Sequence, residues 1–453
     1  MSGISNEEVM SRVKDENVQF INLQFSDIMG MAKSVTITAD KLNDALVHGQ
    51  WFDGSSILGF TRIFESDMLL RPDLSTFAVI PWLSSDYGNT ARIICDVHMP
   101  DGKPYEGDPR YILKKTMTDA HEMGYVYNTG PELEFFLFKK ENGIIKTSSN
   151  QIAEPHDRGQ YLDLVLDLGY DVRREMIVSL QKMGMEVEVS HHEVAPGQHE
   201  IGFKYGNALE TADRAMTLKV VMKSIAAKHG LHATFMPKPI TGVNGSGMHV
   251  HQSLFSSDGS TNMFYDASNK YQLSQTAYSF MAGQMKHVKA MCAVLNPTVN
   301  SYKRLVPGYE AATYICWARQ NRSALLRVPR YAKGREKSTR FEIRCPDPSS
   351  NPYLAFAVLL KSGLDGIKNK LEAPAPVEEN VFEFDESELA NRHIDVLPCS
   401  LWEAVKALKE DKLVSSVLGP DLLKKYLCVK TGEWDDYKTT VSNWEVKKYL
   451  EMI

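Results

Sequence analysis

Glu132 and Glu134 stand two residues apart in Gly130-Pro131-Glu132-Leu133-Glu134-Phe135-Phe136-Leu137-Phe138, a stretch that reads as a strand. Side chains at i and i+2 leave a strand on the same face, so the two carboxylates project side by side. Phe135 lies on the other face and an apolar run follows, which argues for a buried strand rather than a solvated edge. Two carboxylates on a buried face repel each other and call for a cation between them. The Gly-Pro pair is expected to break the chain, so that the strand starts at Glu132.

Three further groups add to this pair. Glu193 and Glu200 flank the turn signal Pro196-Gly197, so two short strands would present them from either side, with Glu188 in the alternating run before them. The spacing is not H-E-x-x-H, and the turn forbids a zinc helix there. The glycine-rich run Gly242-Val243-Asn244-Gly245-Ser246-Gly247 lets backbone amides approach a ligand, and His249 and His251 follow on one face of a strand. Arg340, Glu342 and Arg344 alternate opposite Phe341 and Ile343. They form either an ion-pair ladder or a metal ligand between arginines that grip carboxylate or phosphate. Arg304, Arg319, Arg322, Arg327, Arg330 and Arg335 lie nearby in sequence. Glutamates with a few imidazoles suit Mg²⁺ or Mn²⁺ better than zinc. Hard cations together with arginines serve phosphoryl transfer, which points to a two- or three-metal enzyme acting on ATP and an anionic substrate.

The elements that must position these groups fall into an α+β pattern. At 453 residues two domains are the default, and we expect them at 1–105 and 106–453, divided in the turn-rich Met99–Pro104. In the first, Ile21, Leu23 and Phe25 alternate in a strand that turns at Asp27–Gly30 into a hairpin with Met31–Ile37. A helix over Asp40–Val47 and strands at Ala78–Pro81 and Ala91–Val97 follow, as in a β-grasp-like module. Trp51, Phe52 and Phe60 bracket a Gly/Ser loop and predict contact with another subunit or domain. In the second, helices are expected from Asp108-Pro109, over Thr211–Lys228, from Asn351-Pro352, at Leu401–Lys409 and at Val446–Met452. A net charge of −6 argues against nucleic acid, and no apolar run reaches the ~20 residues that span a bilayer. Six scattered cysteines without a C-x-x-C pair suit free thiols in a reducing cytoplasm.

In this order and at these separations, several motifs resemble the type I glutamine synthetases. They are Phe52-Asp53-Gly54-Ser55-Ser56, Gly130–Phe136, His192-Glu193-Val194-Ala195, Asn244–His249, Asn300–Glu310, Gln320-Asn321-Arg322-Ser323 and Asn351-Pro352-Tyr353. The resemblance implies ATP-dependent ligation of ammonia to L-glutamate through γ-glutamyl phosphate. It also implies a β-grasp N-terminal domain, a catalytic domain with a curved antiparallel sheet flanked by helices, and a dodecamer of two hexameric rings. Carried over residue by residue, one metal would be held by Glu134, Glu193 and Glu200, the other by Glu132, His249 and Glu342. Glutamate would meet Asn244, Gly245, Arg304, Arg322 and Arg344. ATP would meet Glu188, Tyr205, His251, Ser253, Arg327, Lys337 and Arg340. Ammonium would be held by Asp53, Tyr161, Glu193 and Glu310, with Asp53, reaching in from a neighbouring subunit, as base and Glu310 on a flap that excludes water.

The chain departs from the family pattern in places. The segment between Arg327 and Glu342 is two residues longer than in bacterial relatives, Ala312 stands where proline often follows the flap, and Phe64 replaces a usual glutamate. Phe382 occupies the position of a tyrosine that other members adenylylate, so direct product inhibition is expected instead, with Arg62 as the sensor. A small regulatory protein is a further partner the resemblance allows. Arg173-Arg174 near Arg92 offers a place for an anionic effector. The alternative within the same fold is ligation of glutamate to a larger amine.

Overall fold

The computed structural model describes residues 5–59, 66–146, 153–308 and 311–453, and in it the chain builds two sheets. In the smaller, β1 (Val18–Ser26) and β2 (Ala32–Thr38) form the expected hairpin, whose turn is held by Met29 and Met31 amides donating to Asp27 Oδ1. Strands β3 (Gln50–Asp53), β4 (Asp67–Val79) and β5 (Asn89–His98) complete the order β2-β1-β5-β4-β3, with β1 parallel to β5. Helices α1 (Asn6–Asp15) and α2 (Leu42–His48) bury Val9, Val13, Leu42 and Ala45 in one apolar cluster with Ile21, Leu23 and Ile93. This is the expected β-grasp-like module. Ala78–Pro81 proves to be only the end of a longer strand, because the register slips between Asp73 and Ala78 and the polar residues there mask the alternation.

The larger sheet contains β6 (Tyr125–Glu141), β7 (Ile144–Ile145), β8 (Val187–His192), β9 (Gln198–Phe203), β10 (Gly206–Asn207) and β11 (Leu231–Thr234). It continues with β12 (Met248–Ser256), β13 (Tyr314–Ala318), β14 (Ala324–Arg327), β15 (Phe341–Ile343) and β16 (Asp395–Val396). Its main path runs β16-β13-β14-β15-β12-β6-β9-β8, while β7, β10 and β11 also pair with β6. The pairing is antiparallel except between β13 and β14, which lie parallel. β6 is the central strand, and it passes straight through Gly130-Pro131, where a break was expected. On the side away from β12, β6 pairs with β10 at Asn128–Thr129 and with β9 from Glu134, so Pro131 falls in the unpaired interval between them. A residue without an N–H is tolerated where one side of the ladder is open.

Around this sheet pack α3 (Pro109–Glu122), α4 (Tyr170–Lys182), α5 (Ala208–Lys228), α6 (Gln275–Leu295), α7 (Ser301–Arg304) and α8 (Pro352–Lys368). They are followed by α9 (Glu386–Asn391), α10 (Leu401–Glu410), α11 (Lys412–Thr439) and α12 (Asn443–Tyr449). Asp108 and Asn351 cap α3 and α8 as expected, accepting from the Arg110 and Tyr353 amides. The two sheets are tied by Arg110, whose guanidinium binds Asp73 and Asp96 of the small module and Asp213 of α5. The sequence reading missed α11, which bends at Gly419 (φ +70) before Pro420. Among the described residues, no helix is long and apolar enough to cross a membrane.

Candidate active site

β6 presents Glu132 and Glu134 on one face, with Leu133 and Phe135 fully buried on the other. Strand register then assembles the remaining acids. His249 of β12 lies opposite Glu132, Glu200 of β9 opposite Glu134, and Glu342 of β15 opposite His251. The β8–β9 hairpin is closed by Glu193 N–H donating to Gln198 O, and it turns at Pro196-Gly197 as expected. Ligand atoms of His191, Glu193 and Glu200 lie within 4.8 Å of one another, as do those of Glu132, His251 and Glu342.

Crowding acids in this way has an electrostatic cost. Burial, then the neighbouring Glu193, pushes Glu134 up to about 8. Burial, followed by repulsion from Glu132, Glu134, Glu193 and Glu342, holds Glu200 well above the usual carboxylate range. Burial opposes ionisation of Glu132 too, but the nearby His249 and the hydrogen-bonded His251 overcome it and hold that carboxyl low. Glu342 is likewise held low against burial, by His251 and by Arg344, and its oxygens accept from Arg344 Nη1 at 2.5 Å and Arg327 Nη2 at 3.0 Å. Glu132 and Glu342 are thus biased toward the ionised form and Glu134 and Glu200 toward the protonated form, a repulsion that a bound cation would relieve. This oxygen-rich donor set fits a hard divalent ion.

The imidazoles divide by their hydrogen bonds. Arg340 Nε donates to His251 Nδ1 at 3.1 Å, so the His251 proton sits on Nε2 and is given to Glu132 Oε1 at 2.8 Å. With both nitrogens engaged, His251 serves as a donor to the carboxylates. His249 Nδ1 lies 3.7 Å from Glu132 Oε2, and burial, with Arg344 nearby, lowers its pKa to about 4. A neutral His249 suits metal ligation.

Two cavities open on this face. A cleft of about 490 Å³ is lined by Glu132 and Glu200 together with Glu188, Tyr205, His251, Ser253, Lys337 and Arg340, which includes every expected nucleotide contact except Arg327. Arg327 is turned toward Glu342 instead. A smaller cavity is lined by Glu134, Glu193, Gln198, Asn244, Gly245, His249, Arg304 and Arg344, which brings together the expected glutamate contacts except Arg322. Arg322 is exposed in the turn before β14 and lines neither cavity. Tyr161 is half exposed, its ring edge-on to His191 with centroids 5.6 Å apart. Asp53 lies at the end of β3 in the small module, accepts from the Ser55 amide, and does not line either cavity of its own chain. Trp51 is exposed, whereas Phe52 packs on Phe25.

Arg62 and Glu310 lie outside the described residues. The Arg173-Arg174 effector pocket does not form. Arg173 is buried and spends its donors on Asp167, Ser190 and His199, while Arg174 pairs with Asp171 at the surface. Sequence reasoning overlooked Gln198, whose Nε2 donates to Glu134 Oε2 at 2.8 Å and to Gly245 O at 3.1 Å. Its place two residues before Glu200, on the same strand face, was the available signal. His191, beside Glu193 and Glu200, was passed over as part of a motif.

Residues 17–100 match the family model "Glutamine synthetase, beta-Grasp domain", and residues 106–449 match "Glutamine synthetase, catalytic domain". The chain is similar to the glutamine synthetase of Clostridium saccharobutylicum, 53% identical over 451 residues and 99% of each chain. It is also similar to those of Methanosarcina mazei (50% over 450 residues, 99% of this chain and 98% of that one) and Thermotoga maritima (50% over 445 residues, 98% and 99%). Among solved structures it superposes on a GmaS/ADP complex with TM-score 0.87 and 31% identity over all of both chains. It also superposes on Plasmodium falciparum glutamine synthetase with TM-score 0.88 and 26% identity, covering 99% of each chain. With the acid face, its arginines and the small β-grasp module all accounted for, the chain belongs to the glutamine synthetase family of ligases, which make glutamine from glutamate and ammonia.

Proposed function

We propose that this chain condenses L-glutamate with ammonia at the expense of ATP, through γ-glutamyl phosphate, with residues 1–105 and 106–453 as its two domains. The observation that carries the reading is the single acid face shared by two cavities, one lined by the expected nucleotide contacts and one by Arg304, Arg344, Asn244 and Gly245. Glu134, Glu193 and Glu200 would hold one Mg²⁺ or Mn²⁺, and Glu132, His249 and Glu342 a second. When bound, the ions supply charge neutralisation for the transferring phosphoryl group.

The chain's own groups do the rest. Lys337 and Arg340 line the cleft and offer donors to phosphate oxygens, while Arg344 and Arg304 offer theirs to glutamate carboxylate. Gln198 and the Gly247 amide fix Glu134, whose Oε2 accepts from both. Glu193 and Tyr161, with Asp53 of a neighbouring subunit, would hold ammonium, and Asp53 would take its proton so that ammonia can attack the acyl phosphate. Glu310 would exclude water from that step. We extend the same reading to a cytoplasmic dodecamer with sites between subunits and to feedback by glutamine through Arg62. The deciding assay is phosphate release that requires ATP, glutamate and ammonium together, with glutamine identified as product. Release without ammonium, or preference for methylamine or a polyamine, would overturn it.

A further inference from the structure

Behind the Glu193–Glu200 hairpin, facing away from the carboxylates, lies a second polar cluster with no place in the reaction described above. Strand alternation sends His191 and Glu200 to the side of the carboxylates and the cross-strand pair His192 and His199 to the opposite face. There the two rings meet edge to face, with centroids 4.7 Å apart, beside Asp157 from the loop before α4. The side chains of all three are fully buried.

These three side chains also have the composition of a metal site, but their hydrogen bonds rule that use out. Arg173 Nη1 donates to His199 Nδ1 at 2.9 Å, so His199 carries its proton on Nε2, the nitrogen that faces Asp157. His192 Nδ1 faces the Glu193 carbonyl at 2.6 Å and its Nε2 faces Asp157 Oδ1 at 2.8 Å, so both nitrogens act as donors. No lone pair on either ring is directed at a shared point. The cluster is a brace.

Asp157 is the member on which the bonds converge. Its Oδ1 accepts from His192 Nε2, from the Gly197 amide at 2.9 Å and from the Gly159 amide at 3.2 Å. Gly197, at φ +68, is in the turn between Glu193 and Glu200, and a Cβ there would come within 2.8 Å of Leu137 O. His192 passes the restraint on to the Glu193 carbonyl. The loop that begins at Asp157 carries Tyr161 and is stitched to the same hairpin by the Leu162 amide donating to His192 O at 3.2 Å.

We propose that Asp157 is a positioning residue: through His192 and Gly197 it fixes the distance and attitude of Glu193 and Glu200, and it holds the Tyr161 loop against them. The proposal rests on the reading of Glu134, Glu193 and Glu200 as a cation site. A partner of this kind, one step removed from the ligands, typically changes metal affinity ~10–100-fold when altered.

The test is equilibrium binding of Mn²⁺ alone to the full assembly, read by electron paramagnetic resonance of the free ion, for wild type, Asp157→Asn, His192→Gln and Glu134→Gln. Asp157→Asn keeps the volume and an acceptor for the glycine amides but loses the charge that holds His192. We expect an affinity loss of about 10–100-fold in one class of sites for both Asp157→Asn and His192→Gln. Elution volume and circular dichroism should match wild type, and excess Mn²⁺ should restore kcat, a rescue that a merely structural role would not give. Wild-type Mn²⁺ affinity in either folded variant overturns the proposal, and His192→Gln decides alone should Asp157→Asn fail to fold. Were Glu134→Gln to bind Mn²⁺ as wild type does, the cation-site reading itself would fall, a result distinct from equal binding by Asp157→Asn alone.

Discussion

The raised carboxyls of the acid face make cation binding a proton exchange with a calculable slope. Glu134 sits at about 8 because it is buried beside Glu193, and Glu200 is held higher than an ordinary glutamate by burial and four neighbouring carboxylates. A divalent ion needs both ionised. With Glu134 at about 8, roughly a tenth of apo sites have it ionised at pH 7, so Mg²⁺ affinity there should lie about tenfold below its high-pH limit from this residue alone. Between pH 6 and 7.5 log Kd should fall by about one per pH unit from Glu134, and by up to about two where Glu200 also releases its proton. Calorimetry of Mg²⁺ binding in buffers of different ionisation enthalpy reads that proton count directly, and Glu134→Gln should lower it by about one. The sign for stability follows from the same shifts. A carboxyl raised on folding contributes stability below its unfolded pKa and loses it as pH rises through the folded value, so apo melting temperature should fall toward pH 8 and Mg²⁺ should raise it most there. A Kd that is flat from pH 6 to 8.5, without proton release, would refute the reasoning.

Four further outcomes are expected. Glu342→Ala should cut kcat by at least ~100-fold at saturating Mg²⁺ while gel filtration shows an intact assembly, since the change removes an ionised carboxylate bonded to Arg327 and Arg344. Asp53→Ala and Arg344→Ala should each be inactive, and verified mixed assemblies should regain some turnover; none regained would sink the shared site. His287, buried and bonded to Asp411 at 2.6 Å and Asp365 at 3.1 Å, is raised on folding as these partners outweigh burial, so His287→Ala should cost about 2–3 kcal/mol near pH 6 by urea melts. That cost should shrink as pH rises through the folded pKa, and a pH-independent cost would contradict the clamp. Arg62→Ala should shift glutamine inhibition to higher concentration at fixed glutamate, and superimposable curves would remove Arg62 from regulation.

Much of this site was legible in the chain because strands carry their chemistry with period two. Glu132 with Glu134, His249 with His251, and Arg340 with Glu342 and Arg344 each announced a shared face, and the register delivered those faces to one place. What stayed hidden depends on partners distant in sequence. No local pattern says that Arg340 will fix the tautomer of His251, or that Arg173 will turn inward to Asp167 rather than outward to an effector. The Gly130-Pro131 signal misled for a related reason: a breaker matters only where the ladder needs its hydrogen bond, and that depends on which strands arrive on either side. Asp53 is the reverse case, a residue the resemblance placed in the site and a single chain leaves outside it.

That open interval on β6 also says where the larger cleft lies. Gly130, Pro131 and Glu132, which line the larger cleft, lie on the stretch where β10 has ended and β9 has not yet begun. The cleft thus lies over a gap in the weave of the sheet. Closing it would require another strand to zip onto β6, and there the imino ring of Pro131 has no hydrogen to offer.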